Sequence, residues 1–322
     1  ELPKDIDYWE FFSQGLEFFI DDAKKNKKEA YRRFKIAADH GVPPAMSYYA
    51  LGLYEGKDIP MNKKEASKYF KMAADNGEAE SMFYYAYMLD QGDEIPVNKK
   101  LASQYYKMAA DNGDARGMLS YGIMLEEGEV IPANIQEAFK YYQMGAENDH
   151  PRCMFKCGLC YLRGVGVQSD IKEAGKYFKM SADKGDPGSQ YVYGCMLENG
   201  EGVNIDNEEA FKYFKQSADN GNSNAMFKCG YFYLQGISIQ QDLQLSRKYF
   251  KMGADNGDVQ SMHAYAVIMS EGKGCPVNKE EAFKYFQMAA ENGHKESMFL
   301  CGIMLEKGEG TPVNEEEAFK YY

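Results

Sequence analysis

One spacing constrains this chain more than any other feature. The alanine of a recurring Glu-Ala pair, with small edits, falls at Ala30, Ala66, Ala102, Ala138, Ala174, Ala210, Ser246, Ala282 and Ala318, a step of 36 residues without a slip. The stretch Asn278–Gly293, NKEEAFKYFQMAAENG, is the clearest copy of the surrounding pattern. A period of this length marks stacked supersecondary units, none of which can bury its apolar face alone. It overrides the expectation of about two domains that a chain of 322 residues would otherwise carry.

Each unit reads as two helices. The leading helix opens on an N-cap Asn or Asp at 26, 62, 98, 134, 170, 206, 242, 278 and 314. A Glu stands three residues later at Glu29, Glu65, Glu137, Glu173, Glu209, Glu281 and Glu317, which predicts the reciprocal pair of a capping box. Leu101 and Leu245 are the exceptions. Ala66, Tyr69, Phe70, Ala73 and Ala74 form one apolar face at helical spacing. Glycine follows the leading helix at Gly41, Gly77, Gly113, Gly185, Gly221, Gly257 and Gly293, with Asp149 as the departure. Pro43, Pro151 and Pro187 then take the first position of the trailing helix, where proline forfeits no hydrogen bond. That helix carries an apolar face such as Met82, Tyr85, Ala86 and Leu89 and closes on another glycine, from Gly56 to Gly308. Strand signals are absent. The expected fold class is all-α, a solenoid of helix-turn-helix repeats. Residues 1–25 lie outside the pattern, with Tyr8, Phe12, Leu16 and Phe19 on one helical face, and read as an N-terminal capping helix. Trp9, Phe11 and Phe18 are more apolar than a solvent-facing cap requires. Lys24, Lys25, Lys27 and Lys28 form a short basic cluster.

The pattern A-x-x-x-L/M-x-x-G-x-G-V/I-P, then an N-cap, then E-A-x-K-Y-F/Y-x-x-A-A-D-x-G, resembles the Sel-one-like repeat, a relative of the tetratricopeptide repeat. It is clearest in the run from Gly194 to Asn204 joined to Glu209–Gly221. The resemblance covers residues 26–322 and implies a right-handed α-α superhelix of eight full repeats and half of a ninth. It also implies a non-catalytic adaptor whose leading helices line a concave groove. A cysteine-rich, secreted branch of that family pairs its two helices through disulfides, but the leading helices here hold no cysteine.

Composition narrows the function class. A net charge of −12 opposes sequence-independent phosphate binding, so nucleic acid is not an expected partner. No apolar run approaches the roughly 18 residues of a membrane span. Seven cysteines, an odd count with none before Cys153, favour a reducing, cytoplasmic setting. Cys153, Cys157 and Cys160, with His150 upstream, have the spacing of iron–sulfur ligands. In the repeat frame they replace core residues such as Ser81, Tyr85 and Met88. Most of the nineteen methionines fall at three repeat positions, typified by Met72, Met82 and Met88, and read as core. His40, His150, His263 and His294 form no ligand pair at helical spacing. The first, second and fourth read as turn or capping residues. Gly164-Val-Gly166 and its equivalents are turns, with no phosphate-loop Gly-Lys-Ser/Thr after them. No cofactor, metal or catalytic constellation is expected.

Two features point to binding. Arg32, Lys68, Lys140, Lys176, Lys212, Lys248, Lys284 and Lys320 share one position on the leading helices, broken by Gln104. A second row, Lys35, Lys71, Lys107, Lys179, Lys215 and Lys251, lies almost a turn further on. Stacking would align both as basic stripes suited to an acidic peptide. Local Glu and Asp partners, such as Glu65 for Lys68 and Asp75 for Lys71, offer the competing use of that charge. The residue after the repeat alanine varies, and Phe139, Phe211 and Phe283 there either pack under the next repeat or anchor a partner. The chain begins at Glu1 and stops in mid-helix at Tyr322, so the natural protein is expected to continue, or another molecule to cover the edge formed by Phe319, Tyr321 and Tyr322. The functional expectation is a protein- or peptide-binding scaffold, with Lys140, Lys176, Lys212, Lys248, Lys284, Phe139, Phe211 and Phe283 as contact residues. The alternative is the regulatory or recognition arm of a larger enzyme such as a kinase.

Overall fold

The computed structural model describes residues 7–20 and 26–322, so Lys24 and Lys25 of the basic cluster, and part of the segment read as a cap, lie outside the described residues. Helix α1 spans Tyr8–Ile20. Helix pairs then follow: α2 (Lys27–Asp39) with α3 (Pro43–Glu55), α4 (Lys63–Asp75) with α5 (Ala79–Gln91), α6 (Lys99–Asp111) with α7 (Ala115–Glu127), and α8 (Ile135–Glu147) with α9 (Pro151–Arg163). The series continues with α10 (Ile171–Asp183) and α11 (Pro187–Asn199), α12 (Asn207–Asp219) and α13 (Ser223–Gln235), α14 (Leu243–Asp255) and α15 (Val259–Glu271), α16 (Lys279–Glu291) and α17 (Lys295–Lys307), then α18 (Glu315–Tyr321). The described elements are all α-helices, the repeated helix-turn-helix architecture that the sequence predicts. Among the described residues no helix is long and apolar enough to cross a membrane.

The helix ends follow the local signals, with one correction. Each leading-helix N-cap accepts a hydrogen bond from the backbone N–H three residues on, as Asn62 Oδ1 does from Glu65 at 3.0 Å. The reciprocal half of the capping box does not form. The N-cap's own N–H donates instead to the preceding trailing helix, as Asn62 does to the Leu53 carbonyl at 2.9 Å and Asn278 to Met269 at 2.9 Å. A buried backbone donor takes whichever acceptor the tertiary packing supplies, and here that acceptor belongs to a neighbouring helix. The Glu is left with the N-cap amide, as in Asn62 Nδ2 to Glu65 at 2.9 Å and Asn134 Nδ2 to Glu137 at 2.8 Å. At the other end, the N–H of Val42 reaches back to the Ala37 carbonyl at 3.1 Å around Gly41, whose φ of 91° only glycine adopts freely. Asp149 takes that left-handed place with φ 61°, which a short polar side chain tolerates.

Two compact units divide the chain, one of residues 1–160 with 164–168, the other of residues 161–163 with 169–322. In the first, Phe34, Phe70, Tyr106 and Tyr142 are at most 2% exposed, and each recurs one period after the last. Phe12 of α1 joins this core 5.7 Å from Phe34, with Tyr8, Leu16 and Phe19 packed partly against it. Arg33 lies over the rings of Phe11 and Phe18 at 5.7 and 5.3 Å, while Trp9 stays 54% exposed. In the second unit Phe178, Phe214, Phe250 and Phe286 continue the same aromatic position, again at most 2% exposed. Burying each such ring is worth about 1.5–3 kcal/mol. The approach of helices over these rings leaves no room for side chains opposite. A Cβ on Gly194 would sit 2.7 Å from the Phe214 ring.

Candidate functional site

The leading helices carry the two lysine rows, and the structure assigns them different work. Within the second row, Lys107 donates to Asp111 at 2.6 Å, and Tyr141 from the next leading helix donates to the same carboxylate at 3.0 Å. The set repeats with Lys179, Asp183 and Tyr213 at 3.1 and 2.6 Å, and with Lys251, Asp255 and Tyr285 at 2.8 and 2.8 Å. Lys71, then Tyr105, holds the Asp75 carboxyl below its ordinary range against the opposing effect of burial. At Lys71, Lys107, Lys179 and Lys251 this row therefore ties one leading helix to the next, and its charge is spent inside the fold.

The first row stays at the surface. In the first unit Lys68 on α4 and Lys140 on α8 are exposed; in the second, Lys176, Lys212, Lys248 and Lys284 stand exposed on α10, α12, α14 and α16. Lys176 is paired with Glu173 and Lys212 with Glu208, which raises both ammonium pKa values. Among the described residues no ion pair falls on Lys68, Lys140, Lys248 or Lys284. The carboxylates beside these lysines are occupied differently. Asn62, Asn134 and Asn278 each donate to the Glu three residues on, so Glu65, Glu137 and Glu281 are already engaged. Asp170 has no donor and leaves Glu173 to Lys176, while Lys212 takes Glu208 from the turn before it; Arg32 pairs with Glu29 and Lys320 with Glu316 on helices that open on Asn. Leu245 removes the acidic partner from the helix of Lys248.

One turn beyond the lysines lies a second component that the sequence reading put in the core. Met82 and Met88 are buried at 3% and 0%, as expected, but Met72, Met108, Met144 and Met180 are 39–47% exposed. Each follows the first-row position by four residues, so lysine and methionine share one helical face. The helical wheel carried this signal: Tyr69, Phe70, Ala73 and Ala74 define the buried stripe, and Met72 falls outside it. Shallow hollows open on this face, one between α2 and α4 lined by Asp39, Lys68, Tyr69 and Met72, another between α14 and α15 lined by Lys248, Lys251, Met252 and Tyr265.

Phe139 is 6% exposed and covered by its own chain. Phe211 is half-buried, its ring 5.7 Å from Phe232 and 5.3 Å from Tyr233, and Phe283 is half-buried beside the core of the last repeats. Packing is thus the main use of this position at Phe139, Phe211 and Phe283. Phe319 at the corresponding place in α18 is 82% exposed.

Eight Sel1 repeats match along the chain, at residues 45–78, 79–114, 115–150, 151–186, 187–222, 223–258, 259–294 and 295–322. The chain belongs to the Sel1 repeat family. Sel1 repeat proteins are in general protein-interaction scaffolds. The crystal structure of c5321, a protective antigen of uropathogenic Escherichia coli strains displaying an SLR fold, is similar over 98% of this chain and 75% of its own, at 23% identity and a TM-score of 0.75. A Sel1 repeat protein from Oxalobacter formigenes is similar over 94% of this chain and 87% of its own, at 24% identity and a TM-score of 0.68. Both likenesses are of fold. No curated protein sequence matches the chain.

Within this Sel1 repeat chain the cysteine run behaves as packing. Cys153, Cys157 and Cys160 are buried, and burial pushes the Cys153 thiol up to about 12 and Cys157 higher still. A Cβ on Gly145 would run into the Cys153 sulfur, so the pair fits as a small residue against a larger one. His150 and His294 cap α9 and α17, each accepting through Nδ1 from the backbone N–H three residues on, and His40 holds the Ile36 carbonyl at 2.7 Å.

Proposed function

We propose that this Sel1 repeat protein is a non-catalytic scaffold that takes an acidic segment of a partner protein on the lysine–methionine face of its leading helices. The observation that carries the reading is the set of exposed lysines without an internal ion pair, Lys68 and Lys140 in one unit and Lys248 and Lys284 in the other. Each helical position beside them offers a flexible, polarisable methionine or its equivalent, a side chain that adapts to varied apolar anchors. The net charge of −12 makes a locally basic strip stand out, and screening makes such binding weaken with salt. Lys176 and Lys212 join by exchanging Glu173 and Glu208 for the partner's carboxylates. Phe211 and Phe283 add their exposed edges, and Phe139 supports the face from beneath. In this reading the face lies in the groove that leading helices line in the family, residues 1–25 cap the stack, and residues 26–322 form it. The seven unpaired cysteines fit a reducing, cytoplasmic setting.

The test is capture of partners by wild type and by a variant with Lys140, Lys176, Lys212 and Lys248 all changed to Glu. The reading expects bound proteins to be lost at unchanged helicity and melting temperature. Recovery of the same proteins with both would sink it.

A further inference from the structure

Three metal-donor side chains meet between α15 and the start of α17. His263 and His294 are 31 residues apart in sequence, yet their rings lie 4.3 Å apart, centroid to centroid. Glu296 comes within 3.5 Å of His263, Oε2 to Nε2. One donor atom from each of the three lies within 4.8 Å of the others. The same niche five repeats earlier holds Phe83, Asp114 and Arg116, with the guanidinium 4.6 Å from the phenyl centroid. One repeat earlier it holds Phe227, Asp258 and Gln260. The repeat pattern therefore does not require these donors.

We propose that His263, His294 and Glu296 bind a divalent first-row transition ion, Zn²⁺ fitting best. Two imidazoles and a carboxylate, with a fourth position open to water, make a donor set suited to that ion. Ligands at about 2.0–2.2 Å from a tetrahedral ion sit about 3.3–3.6 Å apart. The histidine–glutamate pair already has that separation, and the Glu296 side chain, 79% exposed, is free to swing into place. Ser297 prepares the imidazoles. Its Oγ lies 2.9 Å from Nδ1 of His263 and 3.0 Å from Nδ1 of His294. A hydroxyl has two lone pairs, so it can accept both Nδ1–H groups and leave both Nε2 atoms unprotonated for the ion. In the metal-free protein His294 Nδ1 instead accepts from the Ser297 backbone N–H at 3.2 Å, so loading trades that cap for a metal bond linking α15 to α17. Phe286, 5.7 Å from His263, closes one side of the site.

The experiment is calorimetric titration of the metal-free full chain with Zn²⁺ under a non-chelating reductant. Expected is one ion per chain, with affinity falling at least about tenfold in Glu296→Gln and in the double variant His263→Phe/His294→Asp. The double variant installs residues that other repeats carry at these places, and exposed Glu296→Gln decides the question alone if the double variant does not fold. No binding by wild type overturns the proposal. So does wild-type affinity in Glu296→Gln or in the folded double variant, because the ion would then sit elsewhere, such as on the thiols.

Discussion

Ser181 and Ser246 are both fully buried on leading helices, yet replacing each with alanine should move stability in opposite directions. Ser246 stands where every other leading helix carries alanine, and its Oγ has no hydrogen-bond partner among the described residues. A buried hydroxyl without a partner costs about 1–3 kcal/mol, and alanine adds a few tenths in helix propensity. Because the hydroxyl is small and α14 can relax around it, the lower half of that range is expected, a gain of about 1–2 kcal/mol for Ser246→Ala. Ser181 differs in its surroundings. Its Oγ accepts from Ser189 Oγ at 2.7 Å, in the tight contact between α10 and α11. Ser181→Ala would strand the fully buried Ser189 hydroxyl and cost about 1–2 kcal/mol despite the better propensity. Repeat stacks can lose two-state behaviour, so a single global unfolding energy is a poor readout. Amide hydrogen exchange in α10 and α14, read beside urea unfolding, reports each site locally. A loss of protection in Ser246→Ala, or the same sign in both variants, would refute the reasoning.

Two further outcomes follow from packing and from protonation. Gly194→Ala should lower stability by about 1–3 kcal/mol although alanine favours helices, because the new methyl meets the Phe214 ring at 2.7 Å; a melting temperature at or above wild type would contradict this. Burial first, and then Arg152, holds the His150 imidazole below its ordinary pKa. A base with a depressed folded pKa contributes stability that is present above its unfolded value, about 6.5, and is lost as pH falls from there through the depressed folded value. Protonation also places a proton on the Nδ1 atom that accepts from the Cys153 N–H at 3.4 Å. Thermal melting should therefore fall more steeply from pH 7.5 to 5.5 in wild type than in His150→Asp, which installs the cap used at Asp114 and Asp186.

What the sequence disclosed and what it concealed divide along the range of the forces involved. Helix starts, helix stops and the aromatic core positions are local or periodic, so Asn62, Gly77 and Phe70 could be placed from spacing alone. The fate of the N-cap N–H could not, because Leu53 belongs to another helix and competes with Glu65 for it. The meeting of His263 with His294 was hidden for the same reason: two positions unrelated by helical spacing become neighbours only when repeats stack. Met72 is a different case, since the helical wheel sets it off the buried stripe while its repetition reads as a core signature. A residue recurs in a solenoid because every repeat has the same environment at that place, whether that environment is buried or exposed. The lysine row joins these lines of argument. Lys68 and Lys176 differ in the residue six before them: Asn62 donates to Glu65 and occupies it, while Asp170 cannot and leaves Glu173 to neutralise the lysine. Asn alone does not free the cation, since Arg32 pairs with Glu29 behind Asn26 and Lys320 with Glu316 behind Asn314, so the charge a repeat presents follows from all the polar residues of its first turn.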